Sequence, residues 1–121
     1  MVEYKLGTVE SHFADIVWKN EPIHSRKLTE ICEKELNWKR TTTYTVLKKL
    51  CNRGIFQNQD GIVSSLISKA EFYAIQSEKF VEETFEGSFP AFLNAFSSRK
   101  KLTSEEIAQV RKMIDSFETE E

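Results

Sequence analysis

The stretch Trp38-Lys-Arg-Thr-Thr-Thr-Tyr-Thr-Val-Leu-Lys-Lys-Leu-Cys-Asn-Arg-Gly54 decides how the chain reads. Thr43, Val46, Leu47 and Leu50 recur at i, i+3, i+4 and i+7, the spacing of a helix with one buried side. The other side carries Thr41, Thr42, Thr45, Lys48, Lys49 and Asn52, with Tyr44 on the flank. From Leu36 to Gln59 there are five Lys or Arg residues and no Asp or Glu. Cations attract phosphates and short polar side chains reach base edges, so this surface suits a helix lying in the major groove of DNA. An ordinary solvated helix face would look the same on this stretch alone, and the flanking chain has to discriminate.

Upstream, Thr8 to Asn20 places Val9, Phe13, Ile16 and Val17 at helical spacing with Trp18 just beyond, and Asn20 and Pro22 end that helix. Ser25 is a candidate N-cap for the next helix, whose apolar stripe is Leu28, Ile31, Cys32 and Leu36 and whose wet side holds Glu30, Glu33, Lys34 and Glu35. After a break at Asn37 to Arg40 the basic helix begins, with Asn37 and Thr41 both eligible as its N-cap and Gly54 as its C′ residue. Downstream, Asp60-Gly61 sits between two β-prone runs, 55–59 and 62–67, a hairpin signal because a tight primed turn needs residues that tolerate positive φ. Three helices followed at once by a hairpin is the order of a winged helix-turn-helix domain, in which the third helix enters the groove.

The second half changes character. A long helix starting at Ser68 or just after it carries Phe72, Ile75, Phe80, Val81 and Phe85 and stops at Gly87. A helix opened by Pro90, next to Phe89, follows with Phe92, Leu93 and Phe96, and Ser97 to Lys101 reads as a loop. Thr103-Ser-Glu-Glu106 is a capping box for a last helix whose face is Ile107, Val110, Ile114 and Phe117. Seven of the nine phenylalanines fall after residue 70. Some fifty residues in three helices enclose that many large apolar side chains poorly, so two copies packing through this segment is the physical inference, against a segment folded back on the first domain. The expected fold is therefore mainly α with a small β-hairpin: a winged helix-turn-helix DNA-binding domain over 1–68, then a three-helix dimerisation segment over 69–121.

Composition adds bounds. The chain has 121 residues, 40% hydrophobic, and a net charge of −2. The charge is uneven: 1–68 holds ten Lys/Arg against eight Asp/Glu, and 69–121 holds seven against eleven. The basic half contains the basic helix. No signal-peptide core or membrane-length apolar run is present, and a soluble cytoplasmic protein without membrane association is expected. Cys32 and Cys51 adjoin core positions and read as buried free thiols; with His12 and His24 they make neither CxxC nor HxxxH spacing, so no metal and no cofactor is expected. Ser11, His12 and Asp15 lie on one helix and cannot form a catalytic triad, and no phosphate-cradling glycine loop or paired acids are present, which argues against an enzyme.

Taken together, several features resemble the BlaI/MecI/CopY penicillinase-repressor family of bacterial transcription regulators. They are Ile16-Val-Trp18, Trp38 followed by Thr42-x-x-Thr45-x-Leu47-x-x-Leu50-x-x-x-Gly54, Ser65-Leu66, Phe85-x-Gly87-Ser88 and Leu102-Thr-x-x-Glu106. The resemblance spans about residues 9–117. It implies a homodimer that binds a palindromic double-stranded DNA operator and blocks transcription, with Thr42 and Thr45 at the DNA surface. Departures from the family pattern are Lys39-Arg40 in place of Ser-Pro, Thr41 and Tyr44 at commonly basic positions, and a shorter wing without its usual lysines. These shift the expected phosphate contacts to Lys39, Arg40, Lys48, Lys49 and Arg53. Where relatives are switched by a regulatory protease or sensor cutting an Asn-Phe bond, this chain has Ala95-Phe96, and it lacks the cysteine-rich metal motif of the copper-responsive members. The expected DNA-binding residues are thus Lys39, Arg40, Thr41, Thr42, Tyr44, Thr45, Lys48, Lys49, Asn52 and Arg53. The expected dimerisation residues are Phe72, Phe80, Phe85, Phe89, Phe92, Leu93, Phe96, Ile107, Val110, Ile114 and Phe117. The competing expectation is a winged-helix module that binds protein without specific DNA binding.

Overall fold

The computed structural model describes residues 5–117. Helix α1 (Thr8–Asn20) is followed by a short strand β1 (Ile23–His24), α2 (Ser25–Leu36), α3 (Arg40–Asn52), the hairpin strands β2 (Phe56–Gln59) and β3 (Ile62–Ser65), and then α4 (Lys69–Phe85), α5 (Phe89–Arg99) and α6 (Ser104–Ser116). The fold is mostly helical with one small antiparallel sheet, in the strand order β1-β3-β2. This is a winged helix followed by helices, as the sequence predicts.

Local chemistry accounts for the element ends. α1 starts at Gly7, whose N–H donates to the Glu10 carboxylate at 3.0 Å. α2 is capped by His24, not by Ser25: the His24 ring nitrogen accepts the Arg26 N–H at 3.1 Å, and Ser25 is already the first helical residue. Asn37 ends α2 in the left-handed region at φ 55, so neither it nor Thr41 caps α3; that position falls to Lys39, in extended conformation and with no side-chain cap. α3 ends in a Schellman motif, with Gly54 N–H donating to Cys51 O at 3.0 Å and Ile55 N–H to Leu50 O at 3.1 Å, while Gly54 sits at φ 83. α4 is capped by Ser68, whose Oγ accepts the Glu71 N–H. α5 continues through Arg99, two residues past the expected loop start at Ser97, with the Ser97 and Ser98 hydroxyls donating to the Asn94 and Ala95 carbonyls within the helix. The Thr103–Glu106 capping box opens α6 as expected.

The hairpin has a two-residue loop: Gln59 pairs with Ile62, and Asp60 and Gly61 have φ 52 and 88, the signs a type I′ turn demands. Gly61 is needed twice over, since a Cβ there would also lie 2.9 Å from His24 Nε2. The strand β1 was not foreseen; two residues after a proline carry no periodic signal, and their pairing with Val63 and Ile62 is a long-range contact.

The chain divides into two compact units, the first ending at Lys79 and the second beginning at Phe80. The border lies within α4, later than the expected 68/69. The reason is Phe72, assigned above to the dimerisation surface: it is fully buried in the core of the first unit, its ring 5.6 Å from that of Trp18. Phe13, Phe56, Phe72, Leu28, Leu50, Ile55, Val17 and Val63 are all fully buried there, each contributing roughly 1.5–3 kcal/mol by apolar burial. Val9, expected on the core face of α1, is 55% exposed. Trp18 also donates its indole N–H to Ile67 O at 3.1 Å, and Asp15 pairs with Lys69, so both α1 residues hold the start of α4.

The second unit has no comparable interior. No residue of α5 or α6 is buried. Phe92 is the hub of an aromatic cluster, with ring centroids 5.7–6.2 Å from Phe80, Phe85, Phe89 and Phe96. Even so, Phe80, Phe89 and Phe96 remain 45–51% exposed, and Ile107, Ile114 and Phe117 remain 37–62% exposed. Leu93 and Val110 are half-buried, and Met113, which the sequence reading passed over, is 54% exposed. The Ala95-Phe96 bond lies inside α5.

Candidate nucleic-acid interface

α3 is fixed from behind by Thr43, Leu47 and Leu50, which are buried, and by Val46, which is half-buried. Trp38, just before it, stacks on Phe13 at 5.6 Å and donates its backbone N–H to Cys32 O, which sets the bend between α2 and α3. At about 100° per residue, Thr41, Thr45, Lys48 and Asn52 then fall on the outermost line, and all four are exposed. Thr45 donates its hydroxyl to Thr41 O at 2.9 Å, leaving its oxygen lone pairs and methyl group outward. The amide N–H groups at the uncapped N-terminus of α3 add positive potential beside exposed Lys39, Arg40 and Thr42.

The two flanks of α3 are tied down differently. On one side Tyr44, 37% exposed, donates its phenol to Ser25 Oγ at 3.2 Å, which orients its ring between α3 and the start of α2. On the other side Lys49 pairs with Glu10 at 2.7 Å, and Arg53 Nη1 donates to Lys5 O at 3.0 Å and approaches Glu10 at 3.5 Å. Lys49 and Arg53, expected among the phosphate contacts, are therefore engaged by α1 and the segment before it. The Gly7 N–H, Lys49 and Arg53 together hold the Glu10 carboxyl below the usual carboxylate range. Among the described residues, Lys39, Arg40 and Lys48 form no ion pair. Glu10 and Ser25 are the residues that sequence reasoning missed, since each meets α3 across a long stretch of chain and carries no local signal.

The hairpin contributes no cation: its only ionisable side chain is Asp60, at the turn. Asn58 accepts the Gly61 N–H and Gln57 donates to Ser64, so the exposed Gln59 is the hairpin amide left open to solvent. Burial pushes the Cys32 thiol up to about 11 and raises Cys51 as well, so both stay protonated near neutrality. Among the described residues no group of three or more His, Cys, Asp or Glu could hold a metal ion, and no helix is long and apolar enough to cross a membrane. His12 and Asp15 line an open groove of about 700 Å³ on α1 and α2, where Asp15 is taken by Lys19 and Lys69.

Two comparisons bear on this arrangement. The sequence is 21% identical over 116 residues to the methicillin resistance regulatory protein MecI of Staphylococcus aureus, covering 93% of this chain and 94% of that protein. The family described as penicillinase repressor matches residues 6–116, which take in every element from α1 to α6. The chain is accordingly a member of the penicillinase-repressor family.

Proposed function

We propose that this chain represses transcription as a homodimer that binds a palindromic operator, with α3 of each copy in the major groove. The observation that carries the reading is the outward face of α3, with Thr41, Thr45, Lys48 and Asn52 on one line, Thr42 and Tyr44 beside it, and Lys39 and Arg40 at its start. Hydroxyl, amide and phenol groups read base edges, and unpaired cations next to them bind phosphates. Family membership supports the same reading. The exposed phenylalanines of α5, with Ile107, Ile114 and Phe117 of α6, supply the second half: a surface this apolar is covered by an identical copy in an isologous interface. The wing, with Asp60 and no cation, contributes less to phosphate binding than α3 does.

The test separates phosphate from base contacts. Lys48→Ala weakens binding to every duplex and flattens the dependence of log K on log salt by about 0.9, one phosphate contact. Thr45→Val or Tyr44→Phe instead changes which sequence is preferred, by about 1–3 kcal/mol for a lost base contact. Binding by Lys48→Ala at wild-type strength with an unchanged slope contradicts this docking. A module that binds protein alone would return no enriched site from random duplexes.

A further inference from the structure

We propose that Glu10 limits the sequence-independent part of DNA binding: it acts as an internal counter-anion that withholds Lys49 from phosphate. The inference rests on the reading of α3 given above. Both carboxylate oxygens of Glu10 are occupied, Oε2 by Lys49 at 2.7 Å and Oε1 by the Gly7 N–H at 3.0 Å and Arg53 at 3.5 Å. The carboxylate is well shielded, its side chain 19% exposed, and Arg53 beside it is 20% exposed. Arg53 also donates to Lys5 O, so it positions Glu10 and stays in place itself. Lys49 differs: its side chain is 53% exposed, long enough to swing, and held at its tip by Glu10. Lys49 follows Lys48, an exposed residue on the outermost line of α3, about 100° round the helix, so its side chain springs from the edge of that face.

Each cation delivered to a phosphate raises affinity for all sequences alike, while base-edge contacts separate one sequence from another. Neutralising Lys49 internally lowers the indiscriminate part and leaves the discriminating part intact. Glu10 thereby sets the size of the sequence-independent term and leaves the preference for one sequence over another to the base-edge contacts. A purely structural ion pair between α1 and α3 would affect stability but would not move the salt slope.

The experiment measures binding to a random-sequence duplex against salt for the wild-type chain, Glu10→Gln, Lys49→Met, Lys48→Met and the double variant Glu10→Gln/Lys49→Met. Glu10→Gln is expected to bind random DNA more tightly at low salt, with a slope steeper by about 0.9. Lys49→Met is expected to keep the wild-type slope, Lys48→Met to flatten it by about 0.9, and the double variant to return to wild type. A folded Glu10→Gln with the wild-type slope overturns the inference, as does a Lys49→Met that flattens the slope as much as Lys48→Met. Should Glu10→Gln not fold, the Lys49→Met result decides alone: an unchanged slope supports the inference and a flattened one overturns it. A wild-type chain with no salt-dependent duplex binding overturns the α3 reading and this inference with it, an outcome distinct from either of the others.

Discussion

The two units of this chain solve the burial of aromatic side chains in opposite ways. In the first, Phe13, Phe56 and Phe72 are fully buried and Trp18 lies against two of them, its ring 5.5 Å from Phe56 and 5.6 Å from Phe72. In the second, Phe80, Phe89, Phe96 and Phe117 are each 45% exposed or more, and neither α5 nor α6 buries a single residue. The first unit has a core of its own; the second leaves its large apolar side chains partly exposed. Close pairing of elements follows the same divide: α2 lies on α3, α1 on α2 and β3, and β3 between its two neighbours, all in the first unit. Under the proposed function, the first unit is the reader and the exposed apolar surface of the second is what a symmetric partner would cover.

The largest predicted effect breaks the incomplete interface. Phe89→Glu with Phe96→Glu gives a monomer by sedimentation, lowers operator affinity by about 10²- to 10⁴-fold through lost bivalency, and leaves the unfolding of the first unit in place. Phe56→Ala does the reverse. It costs about 3–5 kcal/mol in the first unit, seen as an early unfolding transition, while the dimer through α4–α6 survives. Gly54→Ala forces an alanine to φ 83 in the Schellman motif and destabilises the first unit by about 1–2 kcal/mol, without changing the oligomeric state.

The smallest effect is a pH dependence, carried in the first unit by Glu10 and Asp15. Glu10 is held below its ordinary value of 4.5 by the Gly7 N–H, Lys49 and Arg53, and Asp15 below 3.8 by Lys69 and Lys19. A lowered folded-state value means stability that is complete above those ordinary values and is lost as pH falls through the lowered ones. Acid unfolding followed by circular dichroism is expected to start below pH 4.5, with a shallower loss in Glu10→Gln. The same slope in both proteins would contradict the assignment.

Much of this was legible because it is local. The α3 stripe of Thr43, Val46, Leu47 and Leu50, the Asp60-Gly61 turn and the Thr103–Glu106 box each depend on residues within a few positions of one another, and each appears as read. What a local pattern does not carry depends on distant partners. Phe72 looks like its neighbours on a phenylalanine-rich helix until Trp18 claims it for the first core. Lys49 looks like Lys48 until Glu10 pairs with it across 39 positions of chain. Ser25 yields the cap to His24 because the strand pairing of His24 with Ile62 places its ring over the helix start, and no local pattern announces a two-residue strand.

The most direct test of the central claim, two copies of α3 presented by one dimer, is selection of binding sites from a pool of random duplexes by the wild-type chain. The expected result is enrichment of a palindrome whose half-sites lie about a whole number of helical turns apart. An enriched asymmetric single site, or no enrichment at all, would contradict it.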